Sequence, residues 1–174
     1  MGTDADDRLY FRQMLSGRDF AVGDPFATQM VNFAYAIGDR STGECLLIDP
    51  AWDVEGLISN VGDDGMTVTG VLATHYHADH VGGSIMGHDI EGVAALLGHL
   101  SCPVHVQAEE VEWMERTSGV GTDHLVAHAP GDVITVGEVD CSECSAEVEP
   151  DPLCHSSYNP STNTCECDDG YEFA

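Results

Sequence analysis

Val71-Leu72-Ala73-Thr74-His75-Tyr76-His77-Ala78-Asp79-His80-Val81-Gly82-Gly83 is the stretch that decides this chain. An apolar run ends at Ala73, and three imidazoles and a carboxylate follow within the six residues from His75 to His80. Val71-Leu72-Ala73 reads as a buried strand, and Gly82-Gly83 closes the excursion. If residues 75 to 77 stay extended, side chains alternate, so His75 and His77 point to one side and can grip one ion. Asp79 and His80 then fall where the chain turns, where they face a second ion or brace the first. Neutral imidazoles with one carboxylate suit zinc, and iron or manganese nearly as well. A solvated polar loop is the bland alternative, but histidines this dense after a strand have the spacing of metal ligands. His75, His77, Asp79 and His80 are therefore the candidate ligands.

The same residues carry a resemblance. His75-x-His77-x-Asp79-His80, after an apolar strand and before Gly82-Gly83, resembles the signature loop of the metallo-β-lactamase fold hydrolases. With Thr74 in front, it is most similar to the glyoxalase II and persulfide dioxygenase branch. Leu46-Leu47-Ile48-Asp49-Pro50 is similar to the short strand and aspartate that precede the loop there. The resemblance runs from about Tyr10 to about Glu138. It implies an α/β fold, the first half of an αββα sandwich with a mixed β-sheet and flanking helices. It implies His75 and His77 on a first metal, Asp79 and His80 on a second, and Asp79 as the catalytic residue that orients the nucleophilic water. Asp49 would hydrogen-bond into the loop, although a strand-end aspartate capping a turn explains it almost as well. The implied cofactor is zinc, one or two ions, with iron as the alternative. The implied reaction is cleavage of a thioester or related small substrate by metal-bound hydroxide, with a persulfide dioxygenase-like iron enzyme as its sister.

The family's remaining ligands are a third histidine in a His-Thr-Pro-Gly-His context, a bridging aspartate and a late histidine, and no recognisable version of them follows. Two readings of His128 stand. His128-Ala129-Pro130-Gly131 superficially copies the third-histidine motif. Against that, Gly131-Asp132-Val133-Ile134-Thr135-Val136-Gly137 resembles the strand that comes before it, which leaves His128 on a turn, ligating nothing. A catalytically incomplete metal-binding fragment, or a binding module, thus stands beside the enzyme reading. Half of a two-sheet sandwich also leaves the inner face of its sheet uncovered, which predicts exposed apolar surface, aggregation or a homodimer through that face.

At 174 residues the chain suits one domain, and 43% hydrophobic residues is ordinary for a soluble globule. No apolar run approaches a membrane span, and the acidic start Met1-Gly2-Thr3-Asp4-Ala5-Asp6-Asp7 does not read as a secretory signal, so a cytoplasmic location is expected. Asp plus Glu number 31 against 5 basic residues, all arginine, for a net charge of −26. Such a surface argues against nucleic acid and anionic membrane as partners; a small-molecule substrate is what the resemblance implies. It fits salt adaptation or mere compositional drift.

In order, strands are expected at Leu9 to Leu15, Val31 to Ile37, Cys45 to Ile48 and Thr69 to Ala73, with Gly23-Asp24-Pro25 as a turn. Asp53 can cap a helix through about Val61, with Val54, Leu57, Ile58 and Val61 on one face. A helix at Glu91 to Gly98, a strand at Val104 to Gln107, a helix at Ala108 to Arg116 and short strands at Val126 and Val133 to Val136 follow. His88, His99, His105, His124 and His155 have no ligand-like spacing; Trp52 and Trp113 read as core or rim, and Tyr76 as packing or cleft lining.

From Cys141 the composition shifts, dividing the chain into a truncated metallo-β-lactamase-like domain at 1–140 and an irregular cysteine-rich tail at 141–174. Cys141, Cys144, Cys154, Cys165 and Cys167 crowd this tail, and Cys165-Glu166-Cys167-Asp168-Asp169-Gly170-Tyr171 looks like the end of an EGF-like module. An EGF-like remnant, a disordered tail and a zinc knuckle are the readings open there.

Overall fold

In the computed structural model, which describes residues 8–137, 156–159 and 164–167, the chain divides into units at 1–137 and 138–174. The first unit opens with strands β1 (Leu9–Leu15), β2 (Phe33–Asp39), β3 (Glu44–Ile48) and β4 (Thr67–Leu72). A small hairpin, β5 (Gly83–Ile85) and β6 (His88–Ile90), comes after the histidine loop, and β7 (Val104–Gln107) and β8 (Leu125–His128) return to the sheet. The sheet has six strands in the order β1-β2-β3-β4-β7-β8. β1, β2 and β3 run antiparallel, whereas β3, β4, β7 and β8 are parallel neighbours, so the sheet is mixed.

Parallel neighbours need crossovers, and helices supply them. Those of this unit are α1 (Pro25–Met30), α2 (Val54–Asp63), α3 (Ala78–Val81), α4 (Val93–His99) and α5 (Val111–Ser118). Asp53 caps α2 as expected: its Oδ1 accepts the Gly56 N–H at 2.8 Å while Oδ2 accepts that of Ala21 at 2.9 Å. The periodic residues Val54, Leu57 and Val61 of α2 are fully buried with Tyr10, Met14, Leu47, Val71, Val104 and Met114 in a single core.

Alternation along the strands places a second apolar set on the other face. Leu9 and Phe11 are more than half exposed, and Phe33 is also exposed. Ile134 and Val136 lie over part of this face, closing a hollow of about 410 Å³ with Leu9, Ile37, Leu46, Ile48 and Leu72. Among the described residues no helix is long and apolar enough to cross a membrane.

Four expectations need correction. Asp24-Pro25 starts a helix instead of making only a turn: the Asp24 carboxylate accepts from Phe26 and Ala27, and Pro25 occupies the first turn where its missing N–H costs nothing. Val31, with φ of 58°, ends that helix, so the next strand begins at Phe33. Val133 to Val136 is not a strand; its alternate apolar residues pack over the sheet face rather than pairing with an edge. The helix expected from Ala108 is a 3₁₀ turn to Glu110 before α5 begins at Val111.

In the second unit, β9 (Ser156–Asn159) pairs antiparallel with β10 (Thr164–Cys167). Cys141, Cys144 and Cys154 lie outside the described residues, as does the tail's expected EGF-like pattern beyond these two strands.

Candidate metal centre

β3 and β4 run side by side and release their chains at the same edge, the carboxyl end of the parallel strands, where open α/β sheets bind ligands. Asp49 is the first residue past β3. It is buried and sits at φ of 53°, a left-handed conformation that aspartate tolerates better than most residues. Its Oδ1 accepts the backbone N–H of Thr74 at 2.8 Å, and its Oδ2 accepts the Thr74 hydroxyl at 2.6 Å. The same Oδ2 stands 3.0 Å from His80 Nδ1, and Thr74 Oγ1 stands 3.0 Å from His75 Nδ1. One carboxylate thereby ties the start of the histidine loop to its end.

Extended backbone reaches only as far as His77, where φ of −63° and ψ of 141° give way to the single turn of α3. That turn swings Asp79 and His80 back toward His75. The His75 ring lies 4.5 Å from that of His77 and 4.3 Å from that of His80, centroid to centroid. Ligand atoms of Asp49, His75 and His80 fall within 4.8 Å of one another, the one such group of three among the described residues. His77, beside His75, is exposed, and Asp79 Oδ2 lies 3.5 Å from His80 Nε2. α3 ends in a tight crossing: Gly82 has φ of 85°, and a Cβ there would stand 2.7 Å from Gly92 Cα.

The two central imidazoles differ in charge preference. Burial, helped by the neighbouring His80 and His77, lowers the pKa of His75 and keeps it neutral with a lone pair to offer. The hydrogen bond that His80 donates to Asp49 raises that of His80. Asn32, between α1 and β2, donates from Nδ2 to Asp79 Oδ2 at 2.9 Å and lies 3.4 Å from His80 Nε2. Its own Oδ1 is buried with no hydrogen-bond partner among the described residues. An orphaned acceptor on a residue that touches His80 and Asp79 fits a hydrated cation, and the nitrogen and oxygen donor set fits zinc, iron or manganese.

Aromatic residues frame the loop. Trp52, held at φ of 79°, donates from Nε1 to the Asp79 carbonyl at 3.1 Å. Tyr76 donates its N–H to Glu110 Oε2 at 2.8 Å and stacks 5.6 Å from Trp113, a half-exposed rim residue beneath Arg116. His128 stays outside the ligand group, as the second reading has it, but on a strand end and not on a turn. It ends β8, and its Nε2 lies 2.8 Å from His105 Nδ1 on β7, outside the Asp49–His75–His80 group. Asn32 and the His105–His128 pair had no signal in the sequence, since both contacts join distant segments.

A family model for the metallo-beta-lactamase superfamily matches residues 27–142. A hydroxyacylglutathione hydrolase of Rhodopseudomonas palustris is 32% identical over 108 residues, covering 62% of this chain and 36% of that protein. A probable polyketide biosynthesis zinc-dependent hydrolase of Bacillus velezensis is 32% identical over 50 residues, 29% of this chain and 22% of its own. The chain spans about a third of the length of curated relatives it matches. Among solved structures, a metallo-beta-lactamase from Staphylococcus aureus superposes with a TM-score of 0.51 at 23% identity, over 75% of this chain and 32% of its own, a likeness of fold.

Proposed function

The chain belongs to the metallo-beta-lactamase superfamily, and we propose that it is a metal-dependent hydrolase of the glyoxalase II-like kind, acting on a thioester or related small substrate. His75, His77, Asp79 and His80 would hold the metal, with Asp49 orienting them. The observation that carries this assignment is the Asp49 carboxylate itself. Its two oxygens already accept from Thr74 twice and face His80 Nδ1, which leaves it a bracing role and directs the other nitrogen of His80 toward Asp79. Simple proximity would instead make Asp49 a ligand; its burial and its three partners favour the bracing role.

Zinc bound here would supply Lewis acidity and lower the pKa of a water toward about 7. The chain's own residues do the rest. His75, kept neutral by burial, presents a lone pair without first losing a proton. Asn32 pins Asp79 through Oδ2, which would leave Asp79 Oδ1 to orient the attacking water. Trp52 holds the Asp79 backbone, so the carboxylate cannot drift with the loop. The relative named a hydroxyacylglutathione hydrolase supports a thioester as substrate, and the relative named as zinc-dependent supports the metal.

The direct test loads the purified full chain with zinc and follows hydrolysis of a hydroxyacyl-glutathione thioester, with His75→Ala and His80→Ala in parallel. Chelator-sensitive turnover that falls at least about a hundredfold in both variants is expected. Turnover indifferent to chelator, or a chain that retains no metal, would sink the reading.

A further inference from the structure

A second histidine cluster lies on the sheet. His105 of β7 and His128 of β8 are not opposite each other in register, since His105 pairs with Val126 and Gln107 with His128. The two rings meet on the diagonal, on the same face, with His105 Nδ1 2.8 Å from His128 Nε2. The pair opens onto a cavity of about 380 Å³ that Leu72, Thr74 and Ile134 also line. Asp132 follows in the next turn. Its Oδ2 is fixed by the N–H of Ala129 at 2.8 Å and stands 3.7 Å from the far nitrogen of His128, Nδ1.

We propose that His105 and His128 form a second metal site, binding a borderline divalent ion such as zinc, nickel or copper(II) between His105 Nδ1 and His128 Nε2. Three features argue for it. Two nitrogens sharing one ion at the usual bond length of about 2.05 Å stand about 3.3 Å apart. The pair therefore has to open by only about half an ångström, in side chains that are half-buried and border open space. The tautomers agree as well. With lone pairs of both facing nitrogens turned to the ion, the protons sit on His105 Nε2 and His128 Nδ1, and Asp132 waits beside the latter as the carboxylate that orients a ligating histidine. The proton shared across the 2.8 Å contact has only to move to the far nitrogen of its own ring for both facing nitrogens to ligate. Finally, the cavity gives the ion room for water or an oxygen donor of a bound molecule in its remaining positions. Imidazole ligation selects for zinc, copper and nickel over magnesium or calcium. The site shares no ligand with the His75 loop and does not depend on the reading given for that loop.

The experiment is equilibrium dialysis of the full chain against zinc, with accessible thiols alkylated beforehand so that exposed cysteines do not contribute. The unaltered chain should bind one equivalent more than His105→Ala or His128→Ala, and His75→Ala should keep that equivalent. Asp132→Asn should weaken it about tenfold or more. In the unaltered chain, nitrogen NMR should show zinc moving the resonances of both rings, a readout that stands even if a histidine variant fails to fold. Equal zinc binding by all variants, or unmoved His105 and His128 resonances at saturating zinc, would overturn the proposal. A loss of zinc in His75→Ala alone would overturn it too, while leaving the catalytic reading intact.

Discussion

Asp49 holds Thr74 twice, by its backbone N–H at 2.8 Å and by its hydroxyl at 2.6 Å, from a buried residue in left-handed backbone. Such a conformation persists only where surrounding bonds over-determine it. The Asp49–Thr74 clasp aligns the ends of β3 and β4, and through His80 it sets which imidazole nitrogen faces Asp79.

Replacing Asp49 with Asn puts a donor where two donors already point. Asp49→Asn should therefore lower metal affinity about 10- to 100-fold and destabilise the fold by roughly 1–3 kcal/mol. Thr74→Val, which keeps the shape and the backbone bond, should do less on both counts. Competition with a chromophoric chelator and urea unfolding measure the two effects. Equal zinc affinity in Asp49→Asn and the parent would show that the clasp does not organise the loop.

The loop that carries this centre was legible in sequence because it is local, whereas the grouping of His75 and His80 with Asp49, rather than of His75 with His77, was not. His75 and His80 lie on one short loop, so one turn suffices to bring them together, but Asp49 joins them from the end of β3. Asp53 announced α2 because a cap and its periodic residues Val54, Leu57 and Val61 are contiguous. Asn32 was not legible, because it meets Asp79 only after β2 and β4 have found places in the sheet. The six residues of α1 are too few to show a period, and Asp24-Pro25 serves a turn as well as a helix start. Val133 to Val136 has the composition of a strand, yet strand formation needs a free edge in register, which composition does not report. His105 and His128, 23 residues apart, meet only through the pairing of β7 with β8.

Asp39 gives the stability a pH signature. Hydrogen bonds from Arg8 foremost, and then from Ser41, hold its carboxyl at about 2, below its ordinary 3.8. A depressed acid stabilises the fold above its unfolded pKa, and the contribution fades as pH falls from about 3.8 through about 2. Arg8 is half exposed, so solvent screening limits the effect to about 1 kcal/mol. Asp39→Asn should be less stable than the parent by that amount at neutral pH, and the two should converge toward pH 2. Urea unfolding across that range measures it; a gap that widens on acidification would contradict the assignment.

The two faces of the sheet should respond differently to the same kind of truncation. Leu57 is fully buried between α2 and the sheet, so Leu57→Ala should cost about 2–5 kcal/mol. Phe11 is 56% exposed on the other face, and Phe11→Ser should cost well under half of that. The Phe11 substitution should also reduce fluorescence of a dye that binds exposed apolar surface. Comparable destabilisation by both would mean that something covers Phe11 in solution.

Cys45 tests the core chemically. It lies on β3 with no exposed surface, and burial pushes its thiol up to about 11. Thiolate is the reactive form, so in the native chain at about pH 8 the residue lacks both access and ionisation. Cys102 is also raised by burial but lies only partly covered, so it should react first. Alkylation with iodoacetamide followed by peptide mass mapping should find Cys45 unmodified in native protein and fully modified in urea. Modification of native Cys45 as fast as Cys102 would mean that β3 opens locally, because a strand flanked by β2 and β4 exposes this side chain only when its pairing is lost.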